Sequence, residues 1–378
     1  MELSIESRCI HLEEDNRAAR YGAISFPIYQ TATFAHPGLG ESTGYDYSRL
    51  QNPTREHLEK VVAALEKGED AVAFSSGLAA IAAAIELFKS GDHIIAEADL
   101  YGGSTRLFNM IREKHGISFT FVDCKEDIEE YFRPETRAVF IETPTNPMMN
   151  IIDIEKVAKA AHAHGALLIV DNTFLSPYFQ NPLELGADIV VHSGTKYLSG
   201  HNDTLAGFVI SKDKSVCEEI RNAFKIIGSS LAPFDSWLIL RGIKTLAVRM
   251  ERAAENAEKI AKFLKGNPHV SRVLYPGLPE HQGYEIMKKQ SRGFGAMLTF
   301  DIDSPERVEG ILKNLKVIQY AESLGGTESL ITYPILQTHA DVPTDILSEC
   351  GVSRTTLRMS VGIENVDDLI NDLESVLG

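Results

Sequence analysis

Between about residues 70 and 211 the sequence alternates short, apolar, β-rich runs with longer amphipathic stretches, and that alternation narrows the folds open to the chain. The runs are Ala71–Phe74, His93–Ala96, Ser118–Val122, Ala138–Ile141, Ala166–Val170 and Asp188–Val191. Their apolar residues are consecutive rather than on every second position, so both faces of each strand must be covered. The stretches between them carry helix signals. In Asp153 to His164, for example, Asp153 is an N-cap and Gly165 a C-terminal stop. Strands covered on both faces and separated by helices predict an α/β fold with a mostly parallel sheet. Ligands of such sheets bind beyond the carboxyl ends of the strands.

The flanks read differently. The first 50 residues are rich in Gly, Tyr, Pro and Ser with little periodicity, which predicts an arm that packs on a partner chain. A long helical pattern from Trp237 to Leu264, with Arg241, Lys244, Arg249 and Glu251 on polar positions, joins a first domain to a second. The remainder reads as α+β, with strands near Ser271–Tyr275, Ala296–Asp301 and Leu357–Ser360 and helices over Pro305–Lys313 and Val366–Leu377. The expected division is an arm over 1–50, a large domain over 51–240 and a smaller α+β domain over 241–378. A length of 378 residues with 44% hydrophobic content suffices for two cores.

Charge and cysteines narrow the function. With 53 acidic against 37 basic side chains, the net charge is −16. Nucleic-acid and anionic-membrane surfaces call for the opposite sign, so neither is an expected partner; a local pocket remains free to bind a small anion. The start, Met1-Glu2-Leu3, lacks the basic flank of a secretory signal, and the longest apolar run, Leu78–Ile85, is too short to span a bilayer. Cys9, Cys124, Cys217 and Cys350 lie far apart, which predicts neither disulfides nor a metal site and suits the cytoplasm.

Three strand ends carry the chemistry. Ser75-Ser-Gly-Leu-Ala79 follows the first run and opens a helix, a layout whose free backbone N–H groups favour an anion. Asp171, at the end of the fifth run, is a buried carboxylate in need of a partner. His192-Ser-Gly-Thr-Lys-Tyr197 follows the sixth and places Lys196 between hydroxyls, where burial turns a lysine into a nucleophile toward carbonyls. A lone lysine is most often a solvated surface charge, and turn glycines before helices are common. Taken together, a phosphate turn, an acid for a ring nitrogen and a lysine for an aldehyde are what pyridoxal 5′-phosphate (PLP) requires. His162 and His164 read as surface residues and Asp123-Cys124 as a plain strand end. Gly293-Phe-Gly295 lacks the third glycine and the helix of a dinucleotide site.

The segments Tyr45–Arg55, Ser75–Gly77, Tyr101–Gly103, Val170–Phe174, Ser193–His201, Ala321–Gly326 and Leu357–Gly362 resemble those of the Cys/Met-metabolism PLP enzymes, in order and over nearly the whole chain. That family contains cystathionine γ-synthase, the cystathionine γ- and β-lyases and methionine γ-lyase. The resemblance implies the PLP-dependent transferase fold of type I and a Schiff-base lysine at Lys196 that also shuttles protons. It implies Tyr101 stacked on the cofactor ring and assisting catalysis, and Asp171 against the ring nitrogen. Gly77, Leu78, Ser193 and Thr195 would hold the phosphate, with Tyr47 and Arg49 reaching it from a neighbouring subunit. Arg358 would clamp the substrate carboxylate, with Asn146, Glu322 and Ser323 as further substrate contacts. The implied assembly is a homo-oligomer, a dimer of dimers with shared active sites.

The same resemblance frames the reaction. Methionine γ-lyases carry a cysteine where this chain has Gly103, which counts against methionine. Glu322 matches an acid that in γ-synthases and γ-lyases receives the distal ammonium of cystathionine. The wording of Tyr45–Arg49, Gly103–Phe108 and Phe294–Met297 is nearest the γ-synthases. The expected function is therefore cystathionine γ-synthase chemistry on an O-acyl-homoserine and cysteine. The alternative is a cystathionine γ- or β-lyase that also releases hydrogen sulfide, and the remotest is an inactive binding protein.

Overall fold

The structure is a computed structural model and describes residues 3–11, 21–338 and 350–378. Parts of the expected arm (1–2 and 12–20) and of the expected second domain (339–349) lie outside the described residues. The first sheet has seven strands: β1 (Asp70–Phe74), β2 (His93–Glu97), β3 (Ser118–Val122), β4 (Thr136–Glu142), β5 (Leu167–Asp171), β6 (Ile189–Ser193) and β7 (Gly207–Ser211). Their spatial order is β1-β7-β6-β5-β4-β2-β3. The pairs β2·β3, β2·β4, β4·β5 and β5·β6 are parallel, whereas β7 runs antiparallel to both β1 and β6. The six expected runs are six of these strands; β7, signalled only by Phe208–Ile210, was not among them. Inserted between β1 and β6, β7 leaves β1 pointing the same way as the parallel set. The carboxyl ends of β1, β2, β4, β5 and β6 therefore open on one edge.

Consecutive apolar residues divide between two layers. Ala71, Ile95, Val139, Leu168 and Val190 join one core, while Val72, Ile94, Phe140, Ile169 and Val191 join the other. Helices Gly77–Ile85, Gly102–His115 and Lys214–Ile227 cover the second layer. Helices Pro53–Glu66 and Ile154–Ala163 cover the first, Asn52 capping the former and Asp153 the latter. A second sheet, ordered β10-β11-β12-β9-β8, is made of β8 (Val270–Leu274), β9 (Met297–Ile302), β10 (Gln319–Tyr320), β11 (Leu330–Thr332) and β12 (Thr356–Ser360).

Three expectations change. The pattern from Trp237 to Leu264 is two helices, Pro233–Ile243 and Leu246–Gly266. They break where Gly242 lies against the Leu198–Ser199 backbone, and where its carbonyl accepts from the Thr245 hydroxyl and from Arg249 Nη2. Arg249, read as a polar-face residue, is buried, its Nη1 donating to the Tyr197 carbonyl at 2.8 Å. The arm is not wholly coreless, since its helix Ile5–Ile10 buries Cys9 against this same chain. Cys9, Cys124 and Cys217 are free thiols, and no helix of the described residues is long and apolar enough to cross a membrane.

Candidate active site

At the shared strand edge lies a cavity of about 360 Å³ into which Gly77, Leu78, Tyr101, Asn146, Asp171, Ser193, Thr195, Lys196, Glu322, Ser323 and Arg358 all project. Eleven of the thirteen residues expected at the site are thus brought together. Tyr47 and Arg49 are not: Arg49 stacks 5.7 Å from the Tyr47 ring centre and donates to the Lys225 carbonyl, outside the cavity of its own chain.

The anion end is built by β1, β6 and the helix that follows β1. Ser76 caps helix Gly77–Ile85, its Oγ accepting from Ala79 N at 3.1 Å. Gly77 is required for close approach, because a Cβ there would lie 2.9 Å from Ser193 Cβ. The turn and the end of β6 thus converge on one point, where the helix dipole favours a negative group.

Two carboxyls face the cavity from adjacent strands in register, Glu142 on β4 and Asp171 on β5. Asp171 accepts from Thr173 Oγ1 at 2.5 Å and Thr173 N at 3.0 Å, and Thr173 Oγ1 accepts in turn from Ser193 N at 2.8 Å. Burial raises the pKa of both acids, and the carboxylate of Asp171 adds to the rise at Glu142, which ends well above the usual range. At Asp171 the two Thr173 donors and the nearby His192 oppose the rise. Glu142 and Thr173 were missed from sequence. Glu142 ends its strand as Asp171 does, so the rule that found one would have found the other.

Lys196 Nζ donates to Ser323 Oγ at 2.9 Å. Burial lowers its pKa to about 8; repulsion from Arg358 acts the same way, and Glu322 opposes. Ser323 is held at φ 98°, a left-handed conformation rare outside glycine, with its carbonyl accepting from Arg358 Nη2 at 3.1 Å. Arg358 rises from β12 and is fully buried; its Nη1 donates to Asn146 Oδ1 at 2.9 Å and its Nη2 also to Thr332 Oγ1 at 3.1 Å. Its Nε has no hydrogen-bond partner among the described residues; the acceptors of its fork are neutral, and Glu142 and Glu322 favour its charge through space without a direct ion pair. Tyr101 lies half exposed over the mouth, its backbone N–H donating to Glu142 Oε2 at 3.1 Å. A Cβ on Gly103 would lie 2.3 Å from that ring, so this pose of Tyr101 needs glycine there.

An anion-binding turn, a buried carboxylate, a low-pKa amine and an aromatic lid at one strand edge suit PLP, and an arginine with no carboxylate bonded to its fork suits the carboxylate of an amino acid. The family model described as "Cys/Met metabolism PLP-dependent enzyme" matches residues 6–378. The chain is 50% identical over 358 residues to a cystathionine γ-lyase of Bacillus subtilis, covering 94% of each. It is 47% identical over 378 residues to a cystathionine β-lyase of Lactococcus lactis, covering 99% of each. Its fold matches that of a cystathionine γ-synthase from Xanthomonas oryzae solved with cystathionine, at TM-score 0.97 and 38% identity over 100% of this chain and 98% of the other.

Proposed function

The chain belongs to the Cys/Met metabolism PLP-dependent enzymes, and we propose that within this family it makes or breaks the bond between sulfur and the γ-carbon of cystathionine. The observation that carries this reading is that Arg358, Lys196 and Glu322 face one cavity. A substrate with a carboxylate at one end and an ammonium at the other is then gripped at both ends, with Cα to Cγ beside the lysine amine. PLP, when bound, supplies the electron sink that acidifies the protons on Cα and Cβ.

The other steps fall to the protein. Arg358 takes the α-carboxylate in its planar fork, and Asn146 fixes the orientation of that fork. Lys196, with a pKa of about 8, sits close enough to neutrality to accept a proton at one carbon and return it at another. Ser323 holds the amine in place beforehand. Asp171, its charge favoured by the two Thr173 donors, supplies the carboxylate for the ring nitrogen. Gly77, Leu78, Ser193 and Thr195 take the phosphate, joined by Tyr47 and Arg49 of a second copy. Glu322 receives the distal ammonium. The pose of Tyr101 over Gly103 supports a reading away from methionine.

The first reading of direction is γ-synthase replacement on an O-acyl-homoserine. The second is a γ-lyase or, with the sulfur–β-carbon bond broken instead, a β-lyase, supported by identities of 50% and 47% to relatives so named. Both readings place the enzyme in the cytoplasm as a dimer of dimers. Incubating the purified enzyme with cystathionine alone separates them. Fast 2-oxobutyrate release marks a γ-lyase and fast pyruvate release a β-lyase. A synthase releases neither quickly and forms cystathionine when O-acyl-homoserine and cysteine are both present.

A further inference from the structure

The loop that carries Tyr101 and the turn that carries Asn146 are fastened together by one buried carboxyl. Asp99 precedes Tyr101 by two residues and is 6% exposed. Its Oδ2 accepts from the Thr145 hydroxyl and, at 3.1 Å, from Asn150 Nδ2; its carboxylate also takes the Met148 backbone N–H. All three donors belong to the turn 145–150. That turn closes on itself, with Thr145 N donating to the Asn150 carbonyl at 3.0 Å and Asn150 N to Thr145 Oγ1 at 2.9 Å. Behind Asp99, Glu97 Oε1 at the end of β2 accepts from Asp99 N at 3.0 Å.

We propose that Asp99 is a positioning residue for substrate-carboxylate recognition, acting through the turn and Asn146 on Arg358, an inference that rests on Arg358 being the carboxylate clamp. A carboxylate placed directly on Arg358 would hold the guanidinium firmly but would neutralise it and compete with the substrate. Here the anion is one step removed. Asp99 spends its charge on the three donors of the turn, and the turn presents a neutral amide oxygen to Arg358 Nη1. The guanidinium is thereby fixed while its charge remains for the ligand. Because the same carboxyl anchors the approach to Tyr101, the carboxylate clamp and the aromatic lid keep a fixed spacing.

The test compares two ligands that differ only in the carboxylate, L-norleucine and n-pentylamine, bound to the holoenzyme and followed by the cofactor's absorbance. The variants are Asp99→Asn, Thr145→Val and Arg358→Lys. Thr145→Val removes only one donor to Asp99 and keeps the proposal testable if Asp99→Asn fails to fold. Asp99→Asn and Thr145→Val are expected to weaken norleucine by about tenfold and to leave pentylamine within about twofold, the loss of one well-aligned hydrogen bond to a charged group. Equal weakening of both ligands, or of neither, overturns the proposal. Arg358→Lys is the separate control. If it too fails to discriminate between the ligands, Arg358 is not the clamp and the parent reading falls; if it alone discriminates, only the role of Asp99 falls.

Discussion

Lys196 carries the sharpest consequence of burial for a single residue. Its pKa drops from 10.5 to about 8, chiefly because the ammonium loses water, so the neutral amine dominates just above pH 8. In cofactor-free protein, acylation of Lys196 by an amine-reactive reagent, quantified by peptide mass spectrometry, should climb with pH and level off soon after pH 8. Climbing steadily to pH 10 would mean an ordinary lysine. The stability sign follows from the same shift. The native value lies below the unfolded one, so between pH 8 and 10.5 the unfolded chain binds more protons and stability rises with pH. Lys196→Met should lose that rise in a urea-unfolding series. Lys196 and Asp171 were legible in sequence because each follows an apolar run at a predictable edge. Thr173 was not, because its value lies in bridging two strands, its hydroxyl serving both Asp171 and the Ser193 amide.

The elements that meet at the anion end of the cavity come close because glycines stand where they meet. Gly207 at the start of β7 lies where a Cβ would sit 2.0 Å from the Ser76 carbonyl, and Gly77 leaves room for Ser193. Gly77→Ala tests this convergence, because the added Cβ would lie 2.9 Å from Ser193 Cβ and 3.1 Å from Ser193 Cα and must push the turn and β6 apart. The melting temperature should fall, because the clash with Ser193 outweighs the gain in helix propensity, while PLP affinity, titrated by absorbance, falls about tenfold, a loss of roughly 1.4 kcal/mol. Unchanged affinity would separate the turn from the cofactor. The helix and the strand were each readable from periodicity and capping residues. Their separation was not, being set by glycines whose reason is a neighbour distant in sequence. The break between helices Pro233–Ile243 and Leu246–Gly266 escaped for the same reason. Gly242 is pinned by the Ser199 carbonyl, and Arg249, apparently a surface charge, is spent on backbone carbonyls.

For the whole molecule, the described chain leaves Tyr47 and Arg49 away from its own cavity. It also exposes apolar side chains that a lone copy would leave in water: Leu205, which lines the cavity mouth, and Ile226, Ile227 and Phe234. A two-fold partner would cover such surface, and its arm would bring an arginine to each phosphate. Complementation tests this arrangement. A Lys196→Ala chain and an Arg49→Ala chain are each expected to be nearly inactive as homodimers. After subunit exchange, one of the two sites in each mixed dimer combines Lys196 from one copy with Arg49 from the other. Random mixing of equal amounts makes half the dimers mixed, so activity should return to about one quarter of wild type. Exchange is verified independently by mass spectrometry of differently tagged chains. Mixed dimers that stay inactive would mean that Arg49 serves its own subunit, and a fully active monomer would remove the need for a partner altogether. A recovery near one quarter would instead place the first 50 residues in the active site of a second copy, and would account for an arm so poor in periodic apolar sequence.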